Sequence, residues 1–363
     1  MRLIKKEILV SVLLFITIAC SSQQKIVVDY TNPNIAYEGR IDTAGTGAAD
    51  LYWSATSIKI NFKGKSISAL MKDERGKNYY NIILDGDSIF VLQPDTAKHY
   101  YQLASGLSDG KHTVEIFKRT EWDRGKTSFY GFKIEGDAEL LARPPHKKRK
   151  IEFYGNSITA GYAVDDFSGQ DRSDSIFTNN YLSYSTLVAH HYDAEYYCIC
   201  KSGIGIMISW FPMIESNIYN KINPEDPTSL WDFSKYTPDL VVINLFQNDS
   251  WLVNMPDRAE FKTNFGKKPP TDKYIIKSYK DFVSSIREVY PKAQIICILG
   301  SMDATQEGSK WPGYVTEAVK EMNDPEIYTH FIPFKNTPGH PSVKEQEEMA
   351  KNLIKFIDEN IKW

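Results

Sequence analysis

The stretch IEFYGNSIT, residues 151–159, is the most informative part of this chain for its fold. Four residues, Ile151 to Tyr154, form a short and mainly apolar run, and Gly155-Asn156 then precede a serine. The run predicts a buried strand, and the two small or polar residues predict a sharp turn after it. Ser157 would then present its hydroxyl at the end of a strand, where it can act as a nucleophile if a neighbouring base takes its proton.

Two further residues supply the groups that such a serine needs. His340 stands between Gly339 and Pro341, directly before an amphipathic helix, and Asn248 follows the apolar run 240–245. A nucleophile, a base and a side-chain amide that can stabilise an oxyanion are the parts of an acyl-transfer site. The sequence therefore predicts a serine esterase.

The pattern around these residues predicts an α/β domain over residues 151–363. Strands are expected at 150–154, 195–200, 240–245, 293–299 and 328–331, and residues 274–290 carry an apolar helical stripe. Alternating strands and helices predict a parallel sheet covered by helices on both sides, with ligands at the carboxyl ends of the strands. Ser157, Asn248 and His340 all fall just after predicted strands.

The preceding part of the chain has a different pattern. Residues 20–142 contain many short alternating strands separated by turns such as Asp85-Gly86, which predicts an N-terminal β-sandwich of jelly-roll type. Residues 143–150 contain two prolines and a basic cluster and are expected to form a linker.

The first 19 residues are expected to be a lipoprotein signal peptide. Lys5-Lys6 precede the apolar run 8–18, and Ala19 precedes Cys20, which would be acylated as the first mature residue. An ordinary cleaved signal peptide is the alternative. The lipoprotein interpretation places the protein in a bacterial cell envelope, on the periplasmic or the outer-surface face, with the lipid anchor as its only contact with the membrane.

Charge and cysteine content exclude several classes of function. The net charge is −3 and no long basic stripe is present, so a nucleic-acid partner is not expected. Cys198, Cys200 and Cys297 lie in apolar strand-like runs and show no metal-ligand spacing, which favours buried inert thiols. Neither a metal nor an organic cofactor is expected.

One literal motif match is interpreted as a turn. Residues 106–110, GLSDG, fit the Gly-x-Ser-x-Gly pattern of hydrolases. That pattern requires a strand, a sharp elbow and a helix, whereas this match lies between two predicted β-strands. Ser108 is therefore not expected to be catalytic.

The motifs together resemble the SGNH (GDSL-type) hydrolase superfamily, and within it the family 2 carbohydrate esterases. Segments 37–40 (YEGR), 120–121 (TE), 155–159 (GNSIT) and 201–205 (KSGIG) carry the resemblance over nearly the whole mature chain. The resemblance implies a jelly roll followed by a flavodoxin-like hydrolase domain that removes O-acetyl groups from polysaccharides or oligosaccharides, as acetylxylan esterases do. It implies Ser157 as nucleophile and His340 as base, with Asn248 and the backbone N–H of Gly205, or of Gly203, as oxyanion donors.

Two positions depart from the family pattern. Phe246 replaces the glycine that usually begins the block around Asn248, which is expected to reshape the floor of the pocket or narrow the acyl site. Thr337 replaces the aspartate that usually stands three residues before the histidine. A Ser-His dyad is therefore expected, with the carbonyl of Pro338 or Gly339 orienting the imidazole. Should an acid be recruited from elsewhere, Asp249 and Asp303 are the candidates.

Three aromatic residues near the motifs are candidate platforms for sugar rings: Trp251 first, then Tyr162 and Trp210. Two other functions remain open at this point. The chain could be an SGNH esterase that acts on other acyl esters, or a carbohydrate-binding protein that has lost catalysis, as Phe246 and Thr337 would suggest.

Overall fold

The computed structural model describes residues 24–45 and 47–363. The predicted signal peptide and Cys20 lie outside the described residues, so their assignment stays a prediction. The first strands, all before residue 141, are β1 Lys25–Asp29, β2 Ala36–Glu38, β3 Ile41–Asp42, β4 Ala49–Leu51, β5 Ser57–Lys63, β6 Ser66–Asp73, β7 Tyr80–Leu84, β8 Ser88–Leu92, β9 His99–Ser105, β10 His112–Lys118, β11 Thr127–Glu135 and β12 Glu139–Leu140.

These strands form two antiparallel sheets that pack face to face. One sheet has the order β3-β4-β11-β6-β9, with β1 also paired to β11, and the other has the order β12-β5-β10-β7-β8, with β2 also paired to β5. Inward side chains such as Ile60, Phe62 and Phe132 are fully buried between the sheets. The predicted β-sandwich is confirmed.

The Gly-x-Ser-x-Gly match lies in the connection between β9 and β10. The carbonyl of Ser108 there accepts a hydrogen bond from the His112 ring at 3.1 Å, within the same turn. No helix follows the serine, so the interpretation as a turn is confirmed.

The second part of the chain alternates strands and helices. Its strands are β13 Arg149–Gly155, β14 Ala194–Cys200, β15 Leu240–Asn244, β16 Gln294–Leu299 and β17 Ile327–Phe331. The helices are α1 Ser157–Ala160, α2 Tyr184–His191, α3 Glu215–Ile218, α4 Gln247–Leu252, α5 Ala259–Phe265, α6 Asp272–Val289, α7 Trp311–Met322 and α8 Val343–Asn360. Short 3-10 turns of this part lie at Ser175–Phe177, Asn180–Leu182, Phe233–Lys235 and Asp303–Thr305, and one more, Trp122–Arg124, lies between β10 and β11 of the sandwich.

The five strands form one parallel sheet in the order β14-β13-β15-β16-β17. Residues of α6 and α7 pack on one face of this sheet, and residues of α2 and α8 pack on the other. Gly155 pairs with Cys200 on one side and Asn244 on the other, so these three strands end at one level. The predicted α/β architecture is confirmed, and the loops after the strands share one edge of the sheet.

The two parts contact each other through buried polar groups. Arg40 of the sandwich forms an ion pair with Glu152 of β13 at 2.7 Å, and both side chains are fully buried. The indole N–H of Trp53 donates to the carbonyl of Ile222 at 2.9 Å. No helix among residues 24–45 and 47–363 is long and apolar enough to cross a membrane.

Candidate active site

Ser157 is the first residue of α1, at the end of β13. The Asn156 side chain caps this helix by accepting the N–H of Ile158 at 3.1 Å. Gly155 allows the sharp entry, because a Cβ there would lie 2.1 Å from the Thr159 Oγ1 atom. The backbone N–H of Ser157 has no hydrogen-bond partner among the described residues. The nucleophile candidate thus carries a free N–H at a helix N-terminus.

His340 lies directly opposite this serine. Its Nε2 atom is 2.8 Å from the Ser157 Oγ atom, and its ring contacts the ring of Tyr162 with centroids 4.6 Å apart. Gly339 precedes the histidine with a left-handed φ of +72°. The structure therefore brings together the serine and the histidine that the sequence analysis selected.

The Nδ1 atom of His340 faces Asp171, a residue that the sequence analysis did not select. The two carboxylate oxygens lie 2.9 and 2.8 Å from Nδ1, and one also accepts the His340 backbone N–H at 3.1 Å. The expectation that the carbonyl of Pro338 or Gly339 orients the ring is therefore wrong. Thr337, at the position of the usual acid, donates its hydroxyl to Glu345 instead.

Asp171 comes from a loop of residues 162–178, far from His340 along the chain. Its own φ of +58° is left-handed, which aspartate tolerates better than most residues. Partial burial raises the pKa of its carboxyl, but the hydrogen bonds and charge of His340 outweigh that effect, and the net pKa is lowered. No spacing rule links this residue to the histidine, because only the folding of the loop brings them together.

The two acids that were suggested as substitutes have other partners. Asp249 accepts the backbone N–H groups of Ile206, Met207 and Ile208 at 3.0, 2.7 and 3.2 Å, so it holds the loop of residues 201–208. Asp303 accepts the indole N–H of Trp251 at 2.8 Å. Both suggestions are wrong, because neither carboxylate faces the imidazole.

Asn248 is buried at the start of α4, with its amide held in one orientation. Its Oδ1 atom accepts the indole N–H of Trp210 at 3.0 Å, and its Nδ2 atom donates to the carbonyl of Ile204 at 2.7 Å. A side-chain amide has two N–H bonds, so one remains available for a ligand.

The expectation for Gly205 is contradicted. Its N–H donates to the Ser209 hydroxyl at 2.9 Å, and a Cβ there would lie 2.1 Å from the carbonyl oxygen of Ile208. Gly205 is thus required for the packing of the 201–208 loop and has no free donor. The N–H of Gly203, which has a left-handed φ of +84°, makes no hydrogen bond among the described residues.

Phe246 takes the backbone conformation that explains why glycine is usual at this place. Its φ is +84°, and its side chain is fully buried. The ring contacts Tyr279 and Trp311, with centroids 4.7 and 5.0 Å away. The ring therefore lies in the hydrophobic core rather than in the floor of the acyl site, contrary to the expectation.

The three candidate aromatic platforms occupy different places. Tyr162 packs on the imidazole of His340, and Trp210 orients the Asn248 amide. Trp251 lines a cavity of about 760 Å³ together with Trp311, and neither Ser157 nor His340 belongs to the lining of that cavity. Within the described part of the chain, no group of three or more His, Cys, Asp or Glu side chains could hold a metal ion.

Comparison with known proteins shows which family the chain resembles. Residues 37–144 match the family model described as carbohydrate esterase 2 N-terminal. The chain is 32% identical to the cellulase/esterase CelE of Acetivibrio thermocellus over 346 residues, which is 92% of this chain and 40% of that protein. It is 23% identical to an acetylxylan esterase / glucomannan deacetylase of Cellvibrio japonicus, covering 95% of both chains.

A solved structure is similar to this chain over nearly the whole fold. A family two carbohydrate esterase from Clostridium thermocellum, in complex with cellohexaose, superposes with a TM-score of 0.80 at 30% identity, covering 90% of this chain and 98% of that one. This chain belongs to carbohydrate esterase family 2, whose hydrolase domain has the SGNH-like fold.

Proposed function

We propose that this protein is a serine esterase that removes O-acetyl groups from polysaccharides or oligosaccharides. One observation carries the proposal: the His340 Nε2 atom lies 2.8 Å from the Ser157 Oγ atom. The same ring meets Asp171 at its other nitrogen. The contacts run from serine to histidine to aspartate, which is the arrangement of a catalytic triad, in place of the dyad expected from the sequence.

The triad supports a two-step acyl transfer. His340 takes the proton of Ser157, and the serine oxygen forms a bond to the acetyl carbonyl carbon. When the tetrahedral intermediate collapses, His340 gives the proton to the departing sugar oxygen, which leaves as a hydroxyl. Water then attacks the acetyl-enzyme as His340 takes its proton, and His340 returns that proton to the Ser157 oxygen as the acyl bond breaks and acetate leaves. Asp171 holds the Nδ1–H tautomer and stabilises the imidazolium in both steps.

Three donors are available for the oxyanion in the proposed mechanism. They are the free backbone N–H of Ser157, the free backbone N–H of Gly203 and the remaining N–H of the Asn248 amide. Donors that are held in place before the reaction stabilise developing charge without reorganisation. Trp210 contributes by fixing the amide of Asn248 through its Oδ1 atom.

The substrate class is supported by the relatives rather than by the site. The Cellvibrio japonicus relative is named an acetylxylan esterase / glucomannan deacetylase, and the Clostridium thermocellum structure contains cellohexaose. The chain spans about 40% of CelE, so the activities of that longer protein are not transferred as a whole. Tyr162, whose ring packs against His340, is the aromatic platform proposed for a sugar ring beside the acetyl group, whereas the cavity that Trp251 lines includes no residue of the triad. An assembled serine and histidine pair disfavours the alternative of an inactive carbohydrate-binding protein.

The proposed location follows from the N-terminal sequence. The pattern up to Cys20 supports a lipid anchor in a bacterial cell envelope. Metabolic labelling of expressed protein with a palmitate analogue tests this, since Cys20→Ser would lose the label if the cysteine is acylated.

Acetate release from acetylated xylan and glucomannan oligosaccharides tests the function. Ser157→Ala should lose activity while keeping the melting temperature of the wild type. Ser108→Ala, in the Gly-x-Ser-x-Gly turn, is the matched control and should keep full activity. Acetate release that persists in Ser157→Ala would refute the site, and wild-type activity on other acyl esters alone would redirect the substrate assignment.

A further inference from the structure

A single turn of the β-sandwich contacts two loops of the esterase site. Residues 119–123, which follow β10, contact both the 162–178 loop that carries Asp171 and the 201–208 loop that carries Gly203. Both loops belong to the hydrolase domain, so these contacts cross the boundary between the two domains.

Arg119 contacts the 162–178 loop near its two ends. Its guanidinium forms an ion pair with Asp165 and donates to the carbonyls of Ile176 at 2.8 Å and Thr178 at 3.3 Å. Only 3% of the arginine side chain is exposed. The stretch of loop between these contacts contains Asp171, so the arginine closes the base of the loop from which the acid projects.

The interior of the same loop transmits this constraint to the acid. The backbone N–H of Asp165 donates to the carbonyl of Phe177 at 3.1 Å, and this bond joins the two ends of the loop. Asp166 accepts the backbone N–H of Arg172 at 2.9 Å and its guanidinium at 2.7 Å. Since Arg172 follows Asp171 directly, Asp171 lies between the paired ends of its loop and an adjacent residue whose position is also held.

Glu121 contacts the 201–208 loop in the same way. Its carboxylate accepts both the backbone N–H and the hydroxyl of Ser202, the latter at 2.8 Å, and it is 1% exposed. Ser202 precedes Gly203, whose N–H is a proposed oxyanion donor. Lys201 adds an ion pair to Asp123 at 3.0 Å.

The turn itself is held firmly by the sandwich. The buried ammonium of Lys118 donates to the carbonyls of Thr120 at 2.7 Å and Glu121 at 3.2 Å. The Thr120 hydroxyl donates to Asn78 at 2.7 Å, and the Arg119 N–H donates to the Tyr79 carbonyl at 2.9 Å. Because the turn is held by several hydrogen bonds within the sandwich, it can hold the hydrolase-domain loops that it contacts in one position.

We infer that residues 119–123 of the β-sandwich are a positioning element of the esterase site. Arg119 positions the loop that carries the acid, Asp171, and Glu121 positions the loop that carries the oxyanion donor, Gly203. The inference rests on the proposed function. The sandwich is then a part of the catalytic framework, and the hydrolase domain without it would have its serine and histidine but misplaced acid and oxyanion groups.

Kinetics of Arg119→Met in two backgrounds test the first half. A displacement of the acid by about 1 Å lowers kcat by ~10- to 100-fold, with little change in KM. In an Asp171→Asn background the same substitution should cost less than about twofold, because the acid it positions is already gone. An equal loss in both backgrounds would overturn the inference, since general destabilisation does not depend on Asp171. Should Arg119→Met fail to fold, Asp165→Asn removes the same ion pair from the loop side.

Glu121→Ala and Glu121→Gln test the second half. The alanine variant should lose ~10-fold or more in kcat, and the glutamine variant should recover most of it, because glutamine can still accept the Ser202 N–H. Glu225→Gln is the control: it removes the ion pair to Arg75 across the same domain boundary, 3.2 Å long, without a contact to either loop. Full kcat in folded Glu121→Ala would overturn this half.

Hydrogen–deuterium exchange separates this inference from the proposed function. Arg119→Met should raise exchange in residues 162–178, and Glu121→Ala should raise it in residues 201–208, while Glu225→Gln raises neither. If the wild-type protein has no esterase activity but the two variants still raise exchange in their loops, the proposed function alone is refuted. Unchanged exchange and unchanged kcat in an active protein would refute the positioning role alone.

Discussion

Replacing Asp171 with asparagine tests the triad most directly. The substitution keeps the size of the side chain and removes the charge that faces His340 Nδ1 at 2.8 and 2.9 Å. A hydrogen bond between charged partners contributes about 1.5–3 kcal/mol. Asp171 is 32% exposed, so solvent screens the pair and the full effect of a deeply buried acid is not expected. The loss corresponds to a decrease in kcat of about 10- to 150-fold.

The assay compares kcat and KM of wild type and Asp171→Asn on an acetylated xylo-oligosaccharide and on 4-nitrophenyl acetate. Melting temperatures exclude unfolding as the cause of any loss. Asp174→Asn, an exposed acid on the same loop, is the matched control and should keep wild-type kcat. A kcat for Asp171→Asn within about threefold of wild type would refute the reasoning, because an orienting hydrogen bond to a charged group is expected to contribute more. The histidine would then be oriented without the acid.

Three further changes test other parts of the structure. Asn248→Ala should lower kcat by about 100- to 1000-fold with little change in KM, measured by acetate release; a smaller loss would exclude the amide as an oxyanion donor. Phe246→Gly relieves a left-handed φ but leaves a cavity, so its free energy of unfolding in urea should fall by about 1–4 kcal/mol; an increase would show that strain outweighs packing. The carboxylate of Glu215 is fully buried and has no hydrogen-bond partner among the described residues, and burial raises its pKa well above 4.5, against the opposing charge of Arg40. Because the folded state binds the extra proton, the wild type loses stability as pH rises above the pKa of the unfolded chain. The melting temperature of Glu215→Gln minus that of the wild type should therefore increase from pH 4.5 to pH 7.5. A difference that stays constant over this range would contradict the prediction.

The architecture was predictable because its signals are local. The five parallel strands were placed within two residues of their observed ends, since each is a short and mainly apolar run rich in β-branched or aromatic residues. The amphipathic helix expected directly after His340 is α8, whose start carries a capping box of Ser342 and Glu345. The serine, the histidine and Asn248 could be selected because each follows a strand, and the carboxyl ends of parallel strands meet at one edge.

The errors concern groups whose roles depend on contacts remote in sequence. The sequence favoured Gly205 over Gly203, but the folded loop already bonds the Gly205 N–H to the hydroxyl of Ser209. Phe246 was expected in the pocket because its φ cannot be read from sequence. The left-handed backbone turns its ring into the core, against Tyr279.

From the sequence alone follow the division into a β-sandwich and an α/β part, the order of the elements and the selection of Ser157 and His340 as the proposed nucleophile and base. These follow from hydrophobic periodicity and from glycine-containing turns, which act over a few residues. The tertiary structure alone decided that Asp171 is the acid at the imidazole and that Arg119 and Glu121 of the sandwich contact the loops of the site. Such contacts join residues from distant segments, and their free energy depends on how the loops close rather than on any local pattern.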